Sequence, residues 1–171
     1  IDEIALVPGE RTLDYELTNA SWVIGNFERE IPIIASAMDS VVDVKTAIAL
    51  SKMGALGVIN MEGIQTRYED PESVLDQISS VGKSEFVPLM QKIYGEPVKI
   101  ELIKKRVSEI KEKGGIAALS GTPQAAIKFK EALKESDLDL FFLQGTVVST
   151  QHLGTNGQES LDIEDLCKSL D

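Results

Sequence analysis

The chain has 171 residues, 43% of them apolar and 26% charged, which suits one globular domain rather than a disordered or fibrous chain. A formal net charge of −11 argues against nucleic-acid binding, which needs a concentrated Lys/Arg surface. No apolar run approaches the roughly 20 residues of a bilayer-spanning helix, and the single cysteine, Cys167, allows no internal disulfide. With no basic stretch ahead of an apolar block at the N-terminus, no secretory leader is expected, and the location expected is cytoplasmic. The first residue is not Met, so a trimmed start is expected.

Residues 1–30 lack helical periodicity. Val7-Pro8-Gly9 marks a turn, and Trp22-Val23-Ile24-Gly25-Asn26-Phe27 reads as two short extended pieces around a Gly-Asn turn, an N-terminal arm or hairpin. A repeating pattern begins at Ile31. Ile33-Ile34-Ala35 is a short apolar strand running into Ser36-Ala37-Met38-Asp39-Ser40, and a helix from about 44 to 53 stops at Gly54. Ala55-Leu56-Gly57-Val58-Ile59 is a second buried strand ending at Asn60.

A helical insert at about 64–113 follows. Asp70-Pro71-Glu72 is a helix start with Pro at its first position, and a second helix is expected over 83–94. A third, over 101–113, puts Leu102, Ile103, Val107 and Ile110 on one face. Lys104-Lys105-Arg106 is read as its solvated side. The third strand, 115–119, leads into Ser120-Gly121-Thr122-Pro123 and a helix over 124–134, with Thr122 as N-cap. The fourth strand, 138–143, ends in Gln144-Gly145-Thr146. A final amphipathic helix carries Leu166, Leu170 and Cys167, the last read as a packed, unreactive thiol. His152 stands alone, so no metal or triad chemistry is expected from histidine.

Short apolar strands alternating with helices predict an α/β fold with a parallel sheet covered on both faces. In both open sheets and closed barrels of this kind, ligands sit at the C-terminal ends of the strands. The candidate functional loops are therefore 36–40, 60–63, 120–123 and 144–146.

Those loops, in that order, resemble the IMP dehydrogenase/GMP reductase family. Asp2-Glu3-Ile4-Ala5-Leu6-Val7-Pro8-Gly9 is similar to the family's opening arm. Pro32 through Val42 is similar to its first barrel strand and loop, and Gly54-Ala55-Leu56-Gly57-Val58-Ile59-Asn60 to its second. The stretches Asn60-Met61-Glu62-Gly63, Ser120-Gly121-Thr122-Pro123-Gln124 and Gln144-Gly145-Thr146-Val147-Val148-Ser149 resemble the branch that lacks regulatory CBS domains. The resemblance implies the first half of a (β/α)8 TIM barrel, about four βα units, spanning 31–171 behind the arm.

The family transfers hydride at purine C2 through a cysteine adduct, with NAD or NADP as cofactor and IMP, XMP or GMP as the nucleotide. The resemblance implies that Ser36 and Met38 contact the nucleotide. It implies that Asn60, Gln144, Gly145 and Thr146 face the cofactor, and that Thr122 matches a catalytic threonine of the reductases. Structural alternatives stand beside these: a strand-end cap and a core methionine for Ser36 and Met38, and helix caps for Asp39 and Thr122. Gln144 departs from the family's usual Asp. The nucleophilic cysteine loop lies beyond the matched strands, and Cys167 does not correspond to it. A homo-oligomer, tetrameric in the family, is implied, with no nucleic-acid or membrane partner. The competing expectation is a non-catalytic nucleotide-binding or assembly protein, whose open sheet edges pair with another chain. A flavin-dependent barrel oxidase finds no flavin-specific residue here.

Overall fold

The computed structural model describes residue 7, residues 9–145 and residues 163–170. Strand β1 (Trp22–Ile24) pairs antiparallel with β2 (Phe27–Arg29), Ile24 opposite Phe27. Gly25 stands first in the two-residue turn with φ +57°, a backbone state that glycine adopts without steric cost. The expected hairpin is thus present. It is fastened at its base, where the Trp22 indole donates to Ile31 O at 2.8 Å and Arg29 to the carbonyls of Ser51 and Ala55.

Strand β3 (Ile34–Ala35) is followed by helix α1 (Val44–Lys52), whose first turn is capped by Asp43 accepting from Thr46 N–H at 2.7 Å. The second strand is interrupted. Its lower part, β4 (Leu56–Gly57), runs parallel to β3, and its upper part, β5 (Ile59–Asn60), runs parallel to β6 (Ala118–Gly121). Strand β7 (Leu140–Leu143) pairs parallel on the far side of β6. Neighbouring strands therefore follow chain order, all parallel, as successive βα units require.

The third strand begins three residues later than the apolar run suggested. The amides ahead of it are satisfied by side chains instead: Ile116 N–H donates to Ser51 Oγ at 3.1 Å and Ala117 N–H to Asp139 at 2.8 Å.

Between β5 and β6 lie α2 (Pro71–Ser80), α3 (Lys83–Gly95) and α4 (Ile100–Glu112). Asp70 caps α2 and Pro71 opens it, as expected. On α4, Leu102, Ile103, Val107 and Ile110 are buried, but so is Arg106, which corrects the reading of a solvated basic cluster. Its guanidinium donates to the carbonyls of Gln65, Tyr68 and Glu69 and to the Glu109 carboxylate, which makes it a polar core residue.

The helix expected over 124–134 is two pieces, α5 (Pro123–Lys128) and α6 (Lys130–Lys134), broken where Phe129 leaves helical geometry to bury its ring. Helix α7 (Ile163–Leu170) rests against α6 with Leu166 buried, whereas Cys167 is exposed. The packed-thiol reading fails because Leu166, not its neighbour, takes the inward position.

Two apolar clusters sandwich the sheet. Ile59, Met61, Leu119 and Phe141 meet Ala47 of α1, Ile103, Val107 and Ile110 of α4, and Phe129 and Leu133 on one face. Leu56, Val58 and Ala118 form the other with Leu140 and Phe142, and hairpin residues Ile24 and Phe27 lie over them. This alternation follows from the two-residue period of a strand. No helix among the described residues is long and apolar enough to cross a membrane.

Candidate active site

The strand register gathers the loops at one edge of the sheet. Asn60 pairs with Ser120, and Gly121 with Leu143. Met61 N–H donates to Ser120 O at 2.8 Å, Gln144 N–H to Gly121 O at 2.9 Å, and Val58 N–H to Ala35 O at 3.3 Å. The residues following β5, β6 and β7 thus start close together, whereas Ser36, after β3, starts opposite Val58.

Side chains then tie loop to loop. Glu62 Oε2 accepts from Thr122 N–H at 2.8 Å, joining the second loop to the third. Asp39 Oδ1 accepts from Ile64 N–H at 2.9 Å, joining the first to the second. The other oxygen, Oδ2, accepts from the Tyr94 hydroxyl at 2.6 Å. Gly63 leaves the room for this: a Cβ there would lie 2.1 Å from Asp39 Oδ1. Its φ of −94° suits any residue, so the requirement is steric. Burial, and then the bond to Asp39 and its charge, hold the Tyr94 phenol well above its ordinary pKa.

The sequence-predicted residues fall out as follows. Ser36 is exposed, and Met38 is 52% exposed, so it is no core methionine; its neighbour Ala37 packs inward instead. Asp39 is not a helix cap, a role held by Asp43. Asn60 Oδ1 accepts from Glu62 N–H at 3.0 Å, which leaves its amide nitrogen as a donor. Thr122 does cap its helix, its hydroxyl accepting from Ala125 N–H at 3.2 Å, and it retains a hydroxyl hydrogen to donate. Gln144 and Gly145 are exposed at the end of β7. Thr146, His152 and the arm at 1–6 lie outside the described residues.

Glu62 and Tyr94 escaped the sequence reading as structural ties. A carboxylate in a strand-end loop was a signal for the first; nothing local marks Tyr94, which is 55 residues from its partner. Both loop carboxylates are occupied by hydrogen-bond donors. The described edge therefore offers hydroxyl, amide and thioether groups for holding a polar ligand, and its acids are spent on geometry.

Residues 1–156 match the model of the IMP dehydrogenase / GMP reductase domain. The chain belongs to the IMP dehydrogenase/GMP reductase family. The family arrangement extends to the fold. A crystal structure of an IMP dehydrogenase/GMP reductase-like protein from Corynebacterium glutamicum aligns with TM-score 0.80 and 25% identity, covering 91% of this chain and 43% of that one. An uncharacterized oxidoreductase of Mycolicibacterium smegmatis is 30% identical over 176 residues, 100% of this chain and 47% of its own length. The inosine-5'-monophosphate dehydrogenase of Methanocaldococcus jannaschii is 31% identical over 96 residues, 56% of this chain and 18% of its own length. This family member thus spans about half the length of the first curated relatives it matches.

Proposed function

We propose that this chain is the N-terminal half of the (β/α)8 barrel of an NAD(P)-dependent purine nucleotide oxidoreductase, acting at purine C2 of IMP or GMP. The observation that carries the reading is the gathering of the four family-like loops at the C-terminal edge of parallel strands in chain order. Exposed Ser36 supplies a hydroxyl for a phosphate or ribose oxygen, and exposed Met38 a thioether to lie against a base. Thr122, whose backbone N–H bonds Glu62 and whose hydroxyl oxygen caps its own helix, keeps a hydroxyl hydrogen available to donate.

The donor set fits a dinucleotide. Gln144 offers a neutral amide to a ribose hydroxyl, Asn60 offers its amide nitrogen, and Gly145 follows Gln144; Thr146 is assigned to the cofactor by the family resemblance alone. NAD or NADP supplies the hydride acceptor or donor when bound. The nucleophile belongs to a segment outside this chain, so the chain alone is expected to be inactive in a cytoplasmic, tetrameric parent. The domain division is an arm or hairpin at 1–30 and a half-barrel at 31–171, with a helical insert at 64–113 and no CBS domains.

Reading the gene beyond the codon for Asp171 for a glycine-rich loop ending in Ser-x-Cys tests the assignment, together with assays of the full product with IMP/NAD and GMP/NADPH. Turnover that disappears on replacing that cysteine supports it. A full product with neither cysteine nor turnover favours the second reading, a nucleotide-binding or assembly protein. The specific observation behind that alternative is the exposure of Ile33 and Ile34, 57% and 42%, at edge strand β3.

A further inference from the structure

We propose that Tyr94, carried on α3 of the helical insert, is a positioning residue that sets the geometry of the 36–40 loop through Asp39. As a statement about the substrate loop it rests on the function proposed above. The phenol donates to Asp39 Oδ2 at 2.6 Å while Ile64 N–H holds Oδ1 at 2.9 Å, so the carboxylate is clamped from two elements. Gly63 lies against it, where any Cβ would fall 2.1 Å from Oδ1.

Tyr94 is itself fixed. The Arg67 guanidinium lies 5.8 Å from its ring centroid, and Arg67 also donates to the carbonyls of Glu62 and Glu96. The Tyr68 hydroxyl donates to Ile93 O at 3.1 Å, pinning the end of α3. On the other side, Met38 O accepts from both Val41 N–H and Val42 N–H, at 2.9 and 3.0 Å. The loop is thus one compact turn around Met38. A displacement of Asp39 carries Met38 with it. The insert therefore reaches Asp39 twice, through the amide of its first residue, Ile64, and through the phenol of Tyr94 on α3.

The test combines hydrogen exchange with a double-mutant cycle in the full-length protein. In Tyr94→Phe, which keeps the ring under Arg67, the amides of Val41, Val42 and Ile64 should exchange about tenfold faster. Asp39→Ala should do the same, and the double variant should be no worse than Asp39→Ala alone. The affinity for IMP should fall about fivefold in parallel, with Kd rising by that factor. Unchanged exchange in Tyr94→Phe, or effects that add, overturns the proposal.

Exchange needs no nucleotide. A wild-type protein that binds neither IMP nor GMP therefore sinks the functional reading and leaves the link standing or falling on exchange alone. If Asp39→Ala fails to fold, tyrosinate absorbance of Asp39→Asn replaces it. Tyr94 should then ionise closer to its ordinary 10.0 than in the wild type, and an unchanged titration counts against the link.

Discussion

Glu62 and Thr122, 60 residues apart in sequence, meet in a hydrogen bond of 2.8 Å from the threonine backbone N–H to the glutamate carboxylate. That amide stands at the head of α5, where backbone donors lack partners within the helix. Glu62→Ala should destabilise the protein by about 1–3 kcal/mol by leaving this N–H unpaired. Glu62→Gln should cost less, since an amide oxygen still accepts. Urea midpoints of the two variants check this, and equal losses would argue that the bond is immaterial.

Arg106 is 5% exposed and serves three backbone carbonyls along with Glu109. Arg106→Met should lose about 3 kcal/mol or more, because those carbonyls stay buried without donors. Arg106→Lys should recover little of it, since a single ammonium cannot copy a planar fork. Equilibrium urea unfolding measures both; a fully stable lysine variant would contradict the fork argument.

Gly63→Ala places a methyl where Asp39 Oδ1 now lies, at 2.1 Å. A cost of about 1–3 kcal/mol is expected. In an Asp39→Ala background the same change should be nearly neutral, because the obstructing oxygen is gone. Persistence of the full cost in that background would place the clash elsewhere.

Stability should fall on the alkaline side. Lys111 is held above its ordinary 10.5 first by its hydrogen bond to Asp139, with burial opposing. Tyr94 is held above its ordinary 10.0 first by burial, then by Asp39. In both cases the folded state keeps its proton longer than the unfolded state does. The stability they contribute is complete below those ordinary values and is lost as pH rises through the raised native ones. The urea midpoint should therefore decline above pH 10.0, and less steeply in Tyr94→Phe. A midpoint that climbs over this range would reverse the sign.

The order of strands and helices was legible because each piece carries its own period: Ile33-Ile34-Ala35 and the run at 138–143 are short, apolar and ended by turn residues. Caps at Asp70 and Thr122 were legible for the same local reason. The burial of Arg106 was not, since Lys104, Lys105 and Arg106 look alike in sequence. Helical spacing does put Arg106 on the face of Leu102, Ile103 and Ile110, but a guanidinium stays there only because three carbonyls from the preceding segment receive it. The break of the second strand at Val58 was equally hidden, because it depends on which neighbour pairs with which half. At the site, residue types named the edge, but its bracing by Tyr94 is a tertiary contact without a local trace.

Ile24 and Phe27 of the hairpin lie over the sheet face that holds Val58, Ala118 and Leu140, and Arg29 and Trp22 fasten them near the starts of the strands. Those two side chains cover that part of the face. Loss of the hairpin should therefore bare Val58, Ala118 and Leu140 to water, so these first strands are part of the hydrophobic core rather than a detachable arm.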